Sequence, residues 1–135
     1  MTAPIASRLF SLDPDIRYVA VNHGGSICEM EQRAGHPTLN PHETDRMEEL
    51  IVNPIVLEAV RRRGNLDLDG VRHVVIRYGT LYTVVVPHED GHVSVGVCLG
   101  ADVEAIADRV ATALATPSSG PMERALRMAL PRGFQ

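Results

Sequence analysis

The stretch from Val71 to Leu99 constrains the fold more than any other part of the chain. Three apolar runs, VRHVVIRY (71–78), LYTVVV (81–86) and HVSVGVCL (92–99), follow one another across very short connections. Runs rich in β-branched residues suit a pleated, half-buried surface. Gly79-Thr80 and Glu89-Asp90-Gly91 have hairpin composition, and Pro87, which lacks a backbone donor, is expected to end the middle ladder. In the third run Val93, Val95, Val97 and Leu99 alternate with Ser94, Gly96 and Cys98, a small-residue face that a helix can approach closely. Gly100-Ala101-Asp102 then opens a helix with Asp102 near its positive end and the stripe Val103, Ile106, Val110 and Leu114. The block predicts an antiparallel sheet with a helix laid on it.

Upstream, Ile5, Leu9, Phe10 and Leu12 suit a short helix or docking arm that Asp13-Pro14 ends. RYVAVN (17–22) and SICEMEQ (26–32) read as a hairpin around His23-Gly24-Gly25, since glycine reaches positive φ without steric cost. The alternation puts Cys28 and Met30 on one face and Glu29 and Glu31 on the other, toward water, where they discourage edge pairing. Asn40, Pro41 and Glu43 have the chemistry of a helix start, and Met47, Leu50, Ile51, Ile55 and Val60 form its apolar stripe. A helix over about 41–63 follows, kinked or broken near Asn53-Pro54. Arg61, Arg62 and Arg63 crowd its last turn, and Gly64 is expected to stop it. Residues 1–116 read as a single α+β domain. Residues 117–135 read as a linker (TPSSGP) and a short helix or tail (MERALRMAL).

A chain of 135 residues suits one core. No apolar run approaches a membrane span and no leader-like segment opens the chain, so the cytoplasm is the expected location. All 13 basic residues are arginine, which excludes Schiff-base and P-loop lysines. A net charge of −4 argues against general nucleic-acid binding. The acidic surplus lies in residues 1–60, with 9 acids against 4 arginines. Cys28 and Cys98 sit in strand-like runs and read as buried, reduced thiols rather than a disulfide.

The chemical inventory is thin. His88 and His92 bracket a turn and, with Glu89 or Asp90, are the best candidate for zinc, copper or nickel, against a plainer reading as exposed polar residues. His36 and His42 flank another loop with weaker geometry. His23-Gly24-Gly25-Ser26 has the composition of an anion nest, which a glycine hairpin explains equally well. Ser26 lacks a strand-to-helix elbow, and buried cysteines are poor nucleophiles, so no catalytic residue and no cofactor is expected.

The order helix, β, β, helix, β, β, β, helix resembles the roadblock/LC7 domain of the longin- and profilin-like group. The likeness covers residues 5–115. It is most evident at Ile16-Arg17-Tyr18-Val19, at the long helix ending in Arg61-Arg62-Arg63, and at Val97-Cys98-Leu99. The resemblance implies a five-stranded antiparallel sheet, order 2-1-5-4-3, with helices on its faces. It also implies a homodimer joined through the third strand beside the long helix, acting as a non-catalytic scaffold or regulator, often of a small GTPase. The sequence itself places Arg72, Val74, Ile76 and Tyr78 at one parity of that strand, an apolar edge that needs a cover. A symmetric partner is one cover, and residues 122–130 folding back is the other. Arg61, Arg62 and Arg63, with Arg72, are the candidate contacts for a protein partner. The rival expectation is a sensor for a small molecule or metal, since this fold group resembles PAS domains in outline. With aromatics at 4% and no tryptophan, haem or flavin walls are not expected.

Overall fold

The computed structural model describes residues 3–33 and 43–115. The expectations for Asn40, Pro41, His36, His42 and the 117–135 tail lie outside these residues. In chain order the elements are α1 (Ile5–Phe10), β1 (Ile16–His23), β2 (Ser26–Gln32), α2 (Glu43–Met47), a π-helical turn (Glu48–Val52), α3 (Asn53–Asp67), β3 (Val74–Arg77), β4 (Tyr82–His88), β5 (Gly91–Val97) and α4 (Val103–Ala115). The strands form one five-stranded sheet in the order β2-β1-β5-β4-β3, with every pair antiparallel. The fold class and strand order are those that the resemblance implies.

One sheet face carries the apolar core. Val19 and Val21 of β1, Val84 and Val86 of β4, and Val93, Val95 and Val97 of β5 meet Ala6 and Leu9 of α1 and Ile106, Ala107 and Val110 of α4. Asp102 caps α4 as expected, its Oδ1 accepting the Ala105 N–H at 3.2 Å. Glu29, expected to face water, instead accepts the Ile5 and Ala6 N–H groups at 3.2 and 3.0 Å and so caps α1. Arg33, just past β2, donates to the carbonyls of Phe10, Asp13 and Ile16 and lies 5.0 Å from the centre of the Phe10 ring. It fastens the α1–β1 connection to the end of β2.

The opposite face is covered by the run from α2 through α3, and here the structure departs from expectation. Pro54 does not break the helix. Proline offers no N–H to the carbonyl four residues earlier and crowds it. The turn ahead widens to π-helical spacing, with the Asn53 N–H bonded to the Glu48 carbonyl, and Pro54 sits in the first turn of α3. Gly64 does not stop the helix either, because α3 runs on to Asp67. Gly64 is buried where the chain doubles back. A Cβ there would stand 2.7 Å from the Gly70 carbonyl oxygen and 3.2 Å from Val71.

Strand bounds also shift. β3 starts at Val74 rather than Val71, so Arg72 and His73 are free to turn toward α4, where they meet Asp108 at 3.5 Å and Glu104 at 3.3 Å. Pro87 does not end β4. It pairs in register with His92, beyond Val85, the last β4 residue that β3 reaches. The missing donor falls where β4 has itself become an edge. Cys28 is exposed and Cys98 only half-buried, which corrects the expectation of two buried thiols; both are free.

Candidate functional site

Four large apolar side chains of the long helix face away from the sheet. Met47, Leu50, Ile51 and Ile55 are 51%, 38%, 53% and 63% exposed, and Leu66 and Leu68 continue the apolar surface. The residues turned inward are Glu49, Asn53, Leu57 and Gly64. The helix therefore docks through an edge that is half polar and presents its apolar stripe to the outside. It lies along β3 in the opposite direction: Glu48, near its start, accepts a hydrogen bond from Tyr78 at 2.9 Å, and Gly64, near its end, abuts Val71. Among the described residues the β3 strand pairs only with β4, so none of them bonds to the backbone groups of its other side. An exposed apolar stripe and an open strand edge thus run side by side.

The inward contacts are polar because the sheet beneath is polar. Glu49 is fully buried. Its carboxyl group accepts the Ser94 hydroxyl at 2.6 Å at Oε2 and again at Oε1. Oε1 also accepts the Asn53 amide at 2.8 Å, and His92 Nε2 stands 3.7 Å away. The Asn22 amide donates to the Glu49 backbone carbonyl at 3.3 Å. This cluster ties the π-helical turn to β1 and β5.

Beside the cluster lies a cavity of about 560 Å³. Tyr18, Thr83, Ser94 and Gly96 floor it from the sheet. Asp45, Met47 and Glu48 wall it on the helix side, and Tyr78, Thr80 and Leu81 on the other. Burial raises the Glu48 pKa, with Glu49 and Asp45 adding to the effect and the Tyr78 hydrogen bond opposing it. Tyr78 is pushed up to about 12, first by burial and then by Glu48 and Glu49. Tyr18 is raised further still, by burial and by Glu49, Asp45 and Glu48. The small-residue face of β5 is overlaid by the Tyr18 side chain at Gly96 and by the Glu49 carboxyl at Ser94, rather than closely packed by a helix backbone.

The structure brings some of the sequence-predicted residues together and separates others. Val74 and Ile76 pair with Val85 and Thr83 and lie half-buried on the long-helix side, with Tyr78 at the cavity mouth. Arg72 does not join them, because its ion pair with Asp108 draws it toward α4. Arg62 and Arg63 pair along the helix with Glu58 and Asp67, and Arg61 is half-buried. His88 and His92 are not brought together. Val86 pairs with Val93 in the core face and Pro87 with His92, so alternation puts the two histidines on opposite faces. His92 is buried against Glu49, whereas His88 meets Glu89 at 3.8 Å. Among the described residues no group of three or more His, Cys, Asp or Glu side chains is arranged to hold a metal ion. Among the same residues no helix is long and apolar enough to cross a membrane.

Sequence reasoning missed the Glu49 cluster and the cavity. One signal was present: Glu49 and Asn53 stand four apart, in phase with Leu57, opposite a strand face of small and polar residues.

These features define a class: a five-stranded antiparallel sheet, order 2-1-5-4-3, with a long helix on one face and two shorter ones on the other, which is the roadblock/LC7-like fold. Solved structures share it. The roadblock/LC7 domain from Streptomyces avermitilis superposes with a TM-score of 0.57 at 18% identity, covering 79% of this chain and 88% of that one. The gliding protein MglB from Thermus thermophilus gives 0.59 at 15% identity, covering 82% and 83%. A structure of MglB with a tetrameric arrangement gives 0.56 at 16% identity, covering 85% and 90%. No protein-family model and no curated protein sequence matches this chain.

Proposed function

We propose that this chain is a non-catalytic regulatory domain that works as a homodimer in the cytoplasm. Each copy pairs its β3 edge with the other's, setting the two long helices side by side, and the joined surface engages a protein partner. A small GTPase is the partner class that the roadblock resemblance implies. The observation that carries this reading is the outward stripe of Met47, Leu50, Ile51 and Ile55 running along the open edge of β3. A contiguous apolar patch next to unpaired strand groups marks an interaction surface. A twofold partner satisfies both features at once. The tetrameric arrangement of a MglB structure supports self-association in this fold. Free thiols at Cys28 and Cys98 suit a reducing compartment. Val74, Ile76 and Tyr78 belong to the dimer surface in this reading. Arg61, Arg62, Arg63 and Arg72 are its charged rim, where exposed ion pairs steer a partner more than they hold it.

Light scattering at tens of micromolar tests the reading. The wild-type protein is expected to have the mass of a dimer. The double substitution Ile51→Glu with Ile55→Glu puts two charges into the patch without touching the sheet-facing residues. It is expected to weaken association by about 100-fold or more, as loss of central interface anchors does, with an unchanged circular dichroism spectrum. A wild-type monomer, or a doubly substituted protein that still dimerises, defeats the proposal.

A further inference from the structure

Two copies joined through β3 can meet in more than one register. We infer that the strands pair about a twofold axis at Ile76, so that Val75 of each copy exchanges backbone hydrogen bonds with the partner's Arg77 and Ile76 faces the partner's Ile76. This rests on the dimer proposed above and fixes the register that the dimer alone leaves open.

Tyr78 closes the β3–β4 hairpin, its N–H donating to the Leu81 carbonyl at 2.9 Å. Backbone groups along an antiparallel strand point alternately to one neighbour and to the other. Ile76 and Val74 therefore point with Tyr78 toward β4, and the N–H and C=O groups of Val75 and Arg77 point to the open edge. An outward residue can exchange hydrogen bonds only with an outward residue of the second copy. Within β3 (Val74–Arg77) this leaves three places for a twofold axis: Val75, Ile76 and Arg77. An axis at Val75 sets Arg77 against the partner's His73. In this chain His73 lies outside the strand and turns to α4, 3.3 Å from Glu104. An axis at Arg77 sets two guanidinium groups directly opposite each other, which is unfavourable, and runs Val75 past the end of the partner's strand. Only the axis at Ile76 bonds every outward group of Val75 and Arg77 to a strand residue.

The long helix selects the same axis independently. It runs alongside β3, with Glu48 bonded to Tyr78 and Gly64 against Val71. At about 3.3 Å per strand residue and about 1.5 Å per helical residue, Ile76 lies level with about residue 52, counted from either contact. That level falls within the outward stripe, between Ile51 and Ile55, so the stripes of two antiparallel helices overlap over most of their length. Moving the axis to Val75 shifts the level by about two helical residues, toward Ile55 and the end of the stripe. The charges agree. The helix start carries Asp45, Glu48 and Glu49 against Arg46, and its end carries Arg61, Arg62 and Arg63 against Glu58. A twofold axis between them brings each acidic start toward the other's basic end. Ile76, half-buried on the long-helix side, then meets its copy beneath the seam of the two helices.

Cysteine cross-linking reads the register. In a background with Cys28→Ser and Cys98→Ala, which removes both free thiols, Val75, Ile76 and Arg77 are replaced by cysteine one at a time. Residues that face each other as a non-hydrogen-bonded pair have Cα atoms about 4.5 Å apart, inside the range of about 4.4–6.8 Å for disulfides. With the axis at Ile76, Val75 and Arg77 each stand about 7–8 Å from their own copies. With diamide as the oxidant, Ile76→Cys is expected to run as a covalent dimer on a non-reducing gel, and the other two as monomers. Light scattering of the background protein separates this inference from the dimer reading. If that protein is a dimer but Ile76→Cys fails to cross-link, or Val75→Cys or Arg77→Cys cross-links as well as it does, the register is overturned and the dimer stands. If that protein is a monomer, both are overturned.

Discussion

Replacing Gly91 by alanine is expected to destabilise the domain by about 3 kcal/mol, the upper range for forcing atoms into a packed interior, and to lower Tm by roughly 10 °C. An alanine Cβ at this position would stand 2.0 Å from the Asn22 carbonyl oxygen, 2.7 Å from its carbon and 3.0 Å from the Asn22 side-chain oxygen. None of the backbone atoms can swing aside as a flexible side chain would. Gly91 opposes His23 at the end of the β1–β5 ladder, and the β1–β2 register shifts between Val21 and Asn22. Such an irregularity re-aims the backbone locally, at the residue whose carbonyl Gly91 faces. To admit the methyl group, β1 and β5, the two central strands, must part at this end of their ladder. Gly79→Ala is the matched control. A Cβ there meets nothing within 4 Å and Gly79 has no positive φ, so the change is expected to be neutral or stabilising by about 0.5 kcal/mol through the unfolded chain. Thermal unfolding of the two proteins side by side checks both statements. A Gly91→Ala protein that melts with the wild type would mean the two strands are not this close.

The sheet was legible because alternation in a strand reports directly on which face is buried. Val93, Val95 and Val97 could belong to a core only if Ser94 and Gly96 did not, and the hairpin turns fixed the order of the last three strands. The strand ends were less legible, because Arg72 and Pro87 obey local pairing rather than propensity. Arg72 leaves the ladder for Asp108, and Pro87 stays in it because β3 is too short to reach that far. The long helix failed in an informative way. Helical periodicity shows that Met47, Leu50, Ile51 and Ile55 share a side, but not what that side faces. Apolar stripes normally meet the core, but here Glu49 and Asn53 take the inward positions. They are buried because the sheet beneath them carries Asn22, Ser94 and His92 instead of valines. The same fact explains the cavity, since a helix resting on hydrogen bonds at one end leaves the small floor beside it unfilled. The histidine pair failed for a simpler reason. A turn of two residues makes His88 and His92 near in sequence, and strand parity puts them on opposite faces.

The docking of the long helix rests on Glu49, so Glu49→Ala is expected to cost about 3–5 kcal/mol, the range for removing one partner from a buried charged or polar pair. That is a large part of the roughly 5–15 kcal/mol that holds a domain folded. The truncation leaves the Ser94 hydroxyl, the Asn53 amide and His92 buried around an empty space, each deprived of its nearest acceptor. Glu49→Gln keeps the size and one acceptor oxygen, and is expected to cost only about 1–2 kcal/mol, as one imperfect hydrogen bond does. The double change Glu49→Leu with Ser94→Ala removes acceptor and donor together. Replacing both partners by apolar groups of similar volume is close to neutral in other buried pairs, so this protein is expected to recover the part of the loss that comes from Ser94, while the Asn53 amide stays without its acceptor. Urea denaturation of the three proteins reads the pattern directly. If Glu49→Ala costs less than about 1 kcal/mol, well below any buried polar deletion, the helix is not seated on this residue. The consequence reaches the surface. Glu49 and Asn53 are one face of the turn whose other face is Leu50 and Ile51, so whatever fixes the inner pair also sets the angle at which the outer pair meets a partner. Glu49→Ala is therefore expected to weaken self-association at concentrations where the protein is still folded, although Glu49 itself is fully buried.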